Sequence, residues 1–255
     1  MKITIVGGGN MGGAIALGLA AGKLVDPRDI TVINRRQEKA DELKLKCSEL
    51  NAIADDYISL ANADIVILAI KPWLIEGFLE KYNESFQRAD QLLLSVAAGI
   101  SLDRLEDWSC KGKPVFGIMP NTAIAVKQSM TFVTSKNASD EQLKNVSSLF
   151  DELGKVEVIS EKTMAAGMSL ASCGIAYAFR YIRASMEGGV ELGLYPNQAK
   201  EIAIQTLRGA IDLLEANGSH PEHEIDKVTT AGGITIKGLN ELEHAGFTSA
   251  VIRGL

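Results

Sequence analysis

A glycine triplet set between two unlike patterns constrains this chain more than any other feature in it. Ile3-Thr4-Ile5-Val6 is an apolar run of strand length, Gly7-x-Gly9-x-x-Gly12 follows at once, and a helical pattern covers 10–21 before Gly22. Strand, glycine turn and helix in that order open a strand–helix–strand unit. Gly7 permits the tight turn, Gly9 lets backbone approach a pyrophosphate, and Gly12 lets helix and strand pack closely. The pyrophosphate of a dinucleotide then sits at a helix N-terminus, where unpaired N–H groups and the helix dipole favour an anion. A glycine turn without a ligand is the bland alternative, and the flanking strand and helix weigh against it.

The same alternation continues. Strands are expected over 3–6, 30–33, 64–70, 92–96, 115–119, 130–133 and 156–159, and helices over 10–21, 37–46 and 140–153. The run over 64–70 is continuously apolar, as in a strand buried on both faces, and Pro72 opens the next helix. This predicts a parallel sheet covered by helices, an α/β Rossmann-type dinucleotide-binding domain over 1–160. Beyond Ser160 helical periodicity dominates over 162–192 and 196–216, with Gly193 and Asn217-Gly218 marking ends. A C-terminal all-helical domain over 161–255 follows. Its first helix is crowded with small residues, and the whole is thin for an independent core, so it is expected to pack on a second copy as a homodimer.

Other classes are excluded by simple properties. The net charge of -6 argues against nucleic acid or an anionic membrane surface as partner, and no apolar run is long enough to span a bilayer. The first residues run straight into a strand with no leader pattern, and Cys47, Cys110 and Cys173 are odd in number and scattered. A cytoplasmic protein is expected. His220 and His223 flank a proline in a surface turn without a third ligand, so no metal is expected. Cys173 has no histidine placed as its base and reads as a packing residue.

The second strand ends in Asn34-Arg35-Arg36, where an NAD site usually carries an acidic residue for the ribose 2′-hydroxyl. Two arginines instead offer forked donors to a 2′-phosphate. A hydrogen bond to a charged group contributes about 1.5–3 kcal/mol, so one good contact favours NADPH over NADH by about tenfold to a hundredfold. NADPH is the expected cofactor, with NADH as the alternative.

More than two hundred residues beyond the glycine triplet, Thr230-Ala231-Gly232-Gly233-Ile234-Thr235 joins adjacent backbone N–H groups to hydroxyls. Consecutive N–H groups around Gly232, Gly233 and Ile234 form an anion-binding nest, and glycine permits the backbone angles. A packed helix connection is the competing reading. A dinucleotide site plus an anion cradle describes a redox enzyme acting on a small carboxylate.

In order along the chain, Gly7-Gly8-Gly9-Asn10-Met11-Gly12, Ala69-Ile70-Lys71-Pro72, Ser95-Val96-Ala97-Ala98-Gly99-Ile100 and Met119-Pro120-Asn121-Thr122 resemble segments of the pyrroline-5-carboxylate reductase family. The stretch over 230–235 falls where that family carries Ser-Pro-Gly-Gly-Thr-Thr. The resemblance covers nearly the whole chain. It implies NAD(P)H-dependent reduction of the small molecule 1-pyrroline-5-carboxylate to L-proline, the last step of proline biosynthesis, by hydride transfer to a cyclic imine. It also implies a homodimer, often in a pentamer of dimers. The cofactor-binding set is then Gly7, Gly9, Asn10, Met11, Gly12, Asn34, Arg35, Arg36, Asp56, Ala69, Ile70, Lys71, Pro72, Ala97 and Asn121. The substrate-binding set is Thr230, Gly232, Gly233, Ile234 and Thr235, with Thr235 beside the imine nitrogen as the catalytic hydrogen-bonding or proton-relay group.

The chain departs from the family at Ala231 for proline, at Ile234 for threonine, and in Ala171-Ser172-Cys173-Gly174-Ile175-Ala176-Tyr177, where the family reads Ser-Gly-Ser-Gly-Pro-Ala-Tyr. The missing proline is expected to remove a kink from the first long helix. A reductase of a related cyclic imine or of a small hydroxy acid, and a noncatalytic NADP-binding protein, are the alternative readings. Against the hydroxy-acid reading, no Lys-x-x-x-Asn occurs over 162–192.

Overall fold

The computed structural model describes residues 1–255, which divide into two compact units, Met1–Ser172 and Cys173–Leu255. The first holds a single sheet of β1 (Ile3–Val6), β2 (Ile30–Asn34), β3 (Asn51–Ala54), β4 (Ile65–Leu68), β5 (Leu92–Ser95), β6 (Val115–Met119), β7 (Ser129–Lys136) and β8 (Gly154–Val158), in the order 3-2-1-4-5-6-7-8. Its helices are α1 (Asn10–Ala20), α2 (Gln37–Lys46), α3 (Ser59–Asn62), α4 (Ile75–Lys81), α5 (Leu102–Trp108), α6 (Asp140–Asp151) and α7 (Met164–Gly167).

The continuous apolar runs have a plain cause: the sheet is covered on both faces. Ile3, Ile5, Ile65 and Ile67 join one core cluster with Ile15, Leu19 and Phe150. Their neighbours Val6, Val66 and Leu68 join the other, with Ile75, Leu79 and Phe86. Alternation of side chains along each strand sends successive residues to opposite clusters.

The sheet is not parallel throughout. β1 to β6 are, but β7 runs antiparallel to β6, with Val115 opposite Lys136 and Met119 opposite Phe132. Residues 120–128 form a short 3-10 connection with no crossover helix, and a parallel return needs a crossover of a dozen or more residues. The expected strand over 64–70 is shortened to Ile65–Leu68, so that Ala69 and Ile70 already belong to the loop leaving the sheet. β3 and α5 were not foreseen. β3 is an edge strand of Asn-Ala-Ile-Ala, poor in strand-forming residues, whereas α5 is announced by Ser101, whose hydroxyl accepts the Arg104 N–H.

The helical stretch after 160 is broken rather than continuous. A 3-10 turn (Glu161–Thr163) leads into α7, then a π-helical segment (Met168–Cys173), then α8 (Gly174–Glu191). Proline is absent, yet the irregularity persists. Asn121 Nδ2 donates to the Ala171 carbonyl at 3.4 Å, Ser172 Oγ donates to the Pro120 carbonyl at 3.1 Å, and Gly167 lies against the Phe132 ring. Side-chain cross-ties therefore hold a turn that a regular helix would close.

The second unit continues from α8 with α9 (Pro196–Asn217), α10 (Pro221–Val228), α11 (Ile234–His244) and α12 (Phe247–Gly254). Pro196 at the first position of α9 and Gly218 at φ +57 after its end are favoured boundary residues. In this unit only Ala199 is buried, while Phe179, Ile211, Leu213 and Ile252 are more than half exposed. No helix is long and apolar enough to cross a membrane.

Candidate functional site

β1 and β4 adjoin where the strand order reverses, and open α/β sheets bind ligands at that switch beyond the carboxyl ends of the strands. Residues 7–9 leave β1 there and residues 69–72 leave β4, and between them opens a cleft of ≈ 970 Å³. Each glycine has its own reason. Gly7 takes φ +102, donates its N–H to the Ile33 carbonyl at 2.9 Å, and would place a Cβ 2.6 Å from the Ala69 carbonyl oxygen. A Cβ on Gly12 would overlap the Gly7 carbonyl oxygen, so Gly12 serves packing and lies buried behind the cleft. Gly9 differs: it is exposed, caps α1, and a Cβ there would meet nothing within 4 Å. Free space in front of an uncapped helix N-terminus is what a pyrophosphate requires.

Asn10, Met11, Asn34, Arg35, Arg36, Ala69, Ile70, Lys71, Pro72 and Ala97 also line the cleft. Asn34 has an internal task as well. Only 4% exposed, it accepts the Gly8 N–H on Oδ1 at 3.1 Å and so holds the glycine loop on the end of β2. Two residues of the expected set are not in the cleft wall. Asp56 accepts the Ile58 N–H at 3.0 Å and shapes the turn into α3. Asn121 is buried, with Oδ1 accepting the Ala123 N–H, its own N–H bonded to Ser129 Oγ, and Nδ2 on Ala171. Its Nδ2 supports the π-helical segment, while its other bonds hold the connection from β6 to β7.

The cleft contains residues that carry no motif. Lys39 and Lys81 join Arg35, Arg36 and Lys71, giving five cations and no carboxylate on its wall, in a chain whose net charge is -6. That concentration of one sign focuses attraction on a multiply charged anion. Tyr57 and Tyr82 stack at 4.4 Å between centroids, and Phe78 tilts against both. Lys81 Nζ stands 5.0 Å from the Tyr82 ring centre. Burial, then Tyr82 and Asp55, push the Tyr57 phenol upward, so it stays neutral. Donating a hydrogen bond to the Tyr82 side chain holds Lys81 above its ordinary value, so it stays charged. These aromatics are spread over the approach to α3 and the region of α4, so only the fold assembles them.

The late cradle lies in the helical unit. Residues 230–233 form a turn in which the Gly233 N–H donates to the Thr230 carbonyl at 2.9 Å and Gly232 takes φ +72. A positive φ at the third position makes this a type II turn. The expected nest needs correction here, because the Gly233 N–H is used inside the turn. The free donors are instead the first amides of α11, Ile234 and Thr235, preceded by Gly233 as N-cap. Thr235 is exposed at the second helical position, and Ile234 is 87% exposed. The donors therefore belong to a helix N-terminus set up by a type II turn.

Residues 161–255 match the family described as pyrroline-5-carboxylate reductase dimerisation, and residues 2–99 match that described as NADP oxidoreductase, coenzyme F420-dependent. Pyrroline-5-carboxylate reductase 2 of Dictyostelium discoideum is 35% identical over 100% of this chain and 89% of its own length. Pyrroline-5-carboxylate reductase 1 of the same organism is 37% identical over 99% of this chain, which spans 48% of that longer protein. A crystal structure of the Plasmodium falciparum pyrroline carboxylate reductase with NADP bound has a TM-score of 0.89 at 25% identity, covering 100% of this chain and 94% of that one.

Proposed function

Because the chain belongs to the pyrroline-5-carboxylate reductase family, we infer that it reduces 1-pyrroline-5-carboxylate to L-proline with NADPH. The observation that carries this reading is the cleft at the sheet's switch point, open above Gly9 and walled by five cations without a carboxylate. These residues fit a dinucleotide. The α1 N-terminus takes the pyrophosphate, and Arg35 and Arg36 offer forked donors to a 2′-phosphate that NADH lacks.

When bound, NADPH supplies the hydride for the imine carbon. The protein's part is position and charge. The Ile234 and Thr235 amides at the start of α11 hold the substrate carboxylate, which fixes the reacting carbon. A protonated imine already carries its proton and its positive charge, so hydride addition gives the neutral amine directly. The Thr235 hydroxyl needs only to accept a hydrogen bond from the iminium N–H and then relay a proton from solvent to the amine nitrogen, giving the ammonium form. Thr230 lends a second hydroxyl beside the turn, while Gly232 and Gly233 shape it. In this reading residues 1–160 bind the cofactor and 161–255 pair the subunits and hold the substrate. Homo-oligomerisation follows from the dimerisation family over 161–255. The finer assembly proposed is a homodimer, assembled further as a pentamer of dimers, in the cytoplasm.

Purified protein mixed with 1-pyrroline-5-carboxylate and NADPH tests the reading. Substrate-dependent loss of cofactor absorbance, with proline as product, is expected. Tight NADPH binding without turnover would overturn it in favour of a noncatalytic NADP-binding protein.

A further inference from the structure

Of the five cations on the cleft wall, Lys39 alone is held by a carboxylate. It lies in the first turn of α2, and its N–H donates to the Arg36 carbonyl at 3.2 Å, so it follows directly on the arginine pair. Its Nζ donates to both Glu42 oxygens, at 2.7 and 2.5 Å. Both side chains are about half exposed, at 42% and 54%. Exposed ion pairs of this kind contribute little and exchange readily. Lys39 first, then Lys46 and Arg36, hold the Glu42 carboxyl below its usual range, which puts Arg36 within reach of the Glu42 charge.

A 2′-phosphate drawn to Arg35 and Arg36 thus meets both Lys39 and the anion that occupies it. The phosphate carries more charge than a carboxylate and offers three acceptor oxygens. The 2′-hydroxyl of NADH carries no charge and leaves the pair undisturbed. We propose that Lys39 is the third cation of the 2′-phosphate site and that Glu42 competes with the phosphate for it, so that this ion pair sets the strength of the NADPH preference. The proposal rests on the NADPH reading given above. It assigns a brake to Glu42: the chain sacrifices some discrimination for a lysine that is held in place when the site is empty of phosphate.

The test separates the two ideas by using ligands that need no turnover. Binding of adenosine 2′,5′-bisphosphate and of 5′-AMP to the full-length protein is measured by calorimetry, with kcat/KM for NADPH and NADH alongside. Lys39→Gln is expected to weaken bisphosphate binding about tenfold, the low end for loss of one charge-assisted hydrogen bond because Lys39 is half exposed and shared with Glu42, with a smaller effect on 5′-AMP. Glu42→Gln is expected to tighten bisphosphate binding about twofold to fivefold by removing a nearby like charge. The ratio of kcat/KM for NADPH to that for NADH should fall in Lys39→Gln and rise in Glu42→Gln. If the unsubstituted protein prefers the bisphosphate but neither variant moves that preference, the proposal is overturned and the NADPH reading stands. Loss in Lys39→Gln without gain in Glu42→Gln overturns the competition by Glu42. An unsubstituted protein with no preference for the bisphosphate overturns both.

Discussion

Gly9→Ala separates cofactor binding from folding, because two glycines of one turn have opposite surroundings. At Gly9 the backbone sits at φ -73 and ψ -163, open to any residue, and an added Cβ meets nothing within 4 Å. Alanine there restricts the unfolded chain, which stabilises by about 0.4–1 kcal/mol. It also replaces glycine by a poorer N-cap residue, at a cost of similar size. The two effects nearly cancel, and Tm should move by no more than about 2 °C. The new methyl, however, enters open space at the residue that caps α1, where an approaching pyrophosphate would meet it. Lengthening one charge-assisted hydrogen bond to the pyrophosphate costs about 1.5–3 kcal/mol, or roughly 10- to 150-fold in NADPH affinity. At Gly12 the same methyl would overlap the Gly7 carbonyl oxygen, so Gly12→Ala must displace the turn and lower Tm as well. Thermal unfolding without ligand, paired with NADPH titration by fluorescence, reads both quantities. If Gly9→Ala binds NADPH as the unsubstituted protein does, the pyrophosphate does not approach this backbone and the assignment of the α1 N-terminus is wrong.

Further substitutions test the rest of the molecule. Thr235→Ala should lower kcat about tenfold or more, by loss of a hydrogen bond that strengthens in the transition state, while leaving NADPH affinity level; an unchanged kcat removes the role given to its hydroxyl. Ala231 sits at the second position of the type II turn, keeps a negative φ, and donates no backbone hydrogen bond. Ala231→Pro should therefore raise stability by about 0.4–1 kcal/mol, read as a rise in Tm of roughly 1–4 °C. Lys113 is 2% exposed, bonded to the Phe86 and Arg88 carbonyls, and burial pulls its ammonium from 10.5 down to about 8. The folded state then binds fewer protons than the unfolded chain between those values, so this group makes stability rise as pH climbs from about 8 to 10.5 and withdraws it as pH falls through 8. The Tm–pH slope of the unsubstituted protein over that window should exceed that of Lys113→Met, and parallel slopes would show that Lys113 does not titrate there.

How much was legible depended on whether a feature is local. Gln37–Lys46 and Val115–Met119 were expected with the bounds they have, because periodicity and flanking turns decide them without help from the rest of the chain. The glycine turn was equally legible, since it lies within six residues and the close contact of Gly12 with the Gly7 carbonyl oxygen is local to it. Lys39, Lys81, Tyr57 and Tyr82 were not, because their common property is a shared cleft and no spacing encodes it. Asn121 shows the reverse case. Its segment resembles the family's, yet the side chain is committed to Ala171 and Ala123 rather than to the cleft wall. The broken helix fails for the same reason as the cleft. Regular periodicity over 162–192 predicts one helix, and the bonds that widen it come from Pro120 and Asn121, far away in sequence.

The helical unit carries the argument from stability to function. Its one buried residue, Ala199, cannot offset the entropy of ordering five helices, since burial of apolar surface is the main term that opposes it. Homo-oligomerisation, which the dimerisation family over 161–255 supports, would take Phe179, Ile211, Leu213 and Ile252 out of water, so folding of this unit is expected to be coupled to association. That explains why α8 and α9 tolerate small residues at their contact: a Cβ on Gly189 would stand 3.1 Å from that of Ala199, so the two helices lie close and turn their larger apolar side chains outward. It also bears on the substrate end. The amides of Ile234 and Thr235, proposed above to hold the substrate carboxylate, begin α11 in this same unit, so on that reading their rigidity depends on the association that covers the unit's apolar side chains. Substitutions that weaken the subunit contact should for that reason appear first as a raised KM for the carboxylate substrate, while cofactor binding, anchored on the sheet unit with its two buried cores, persists.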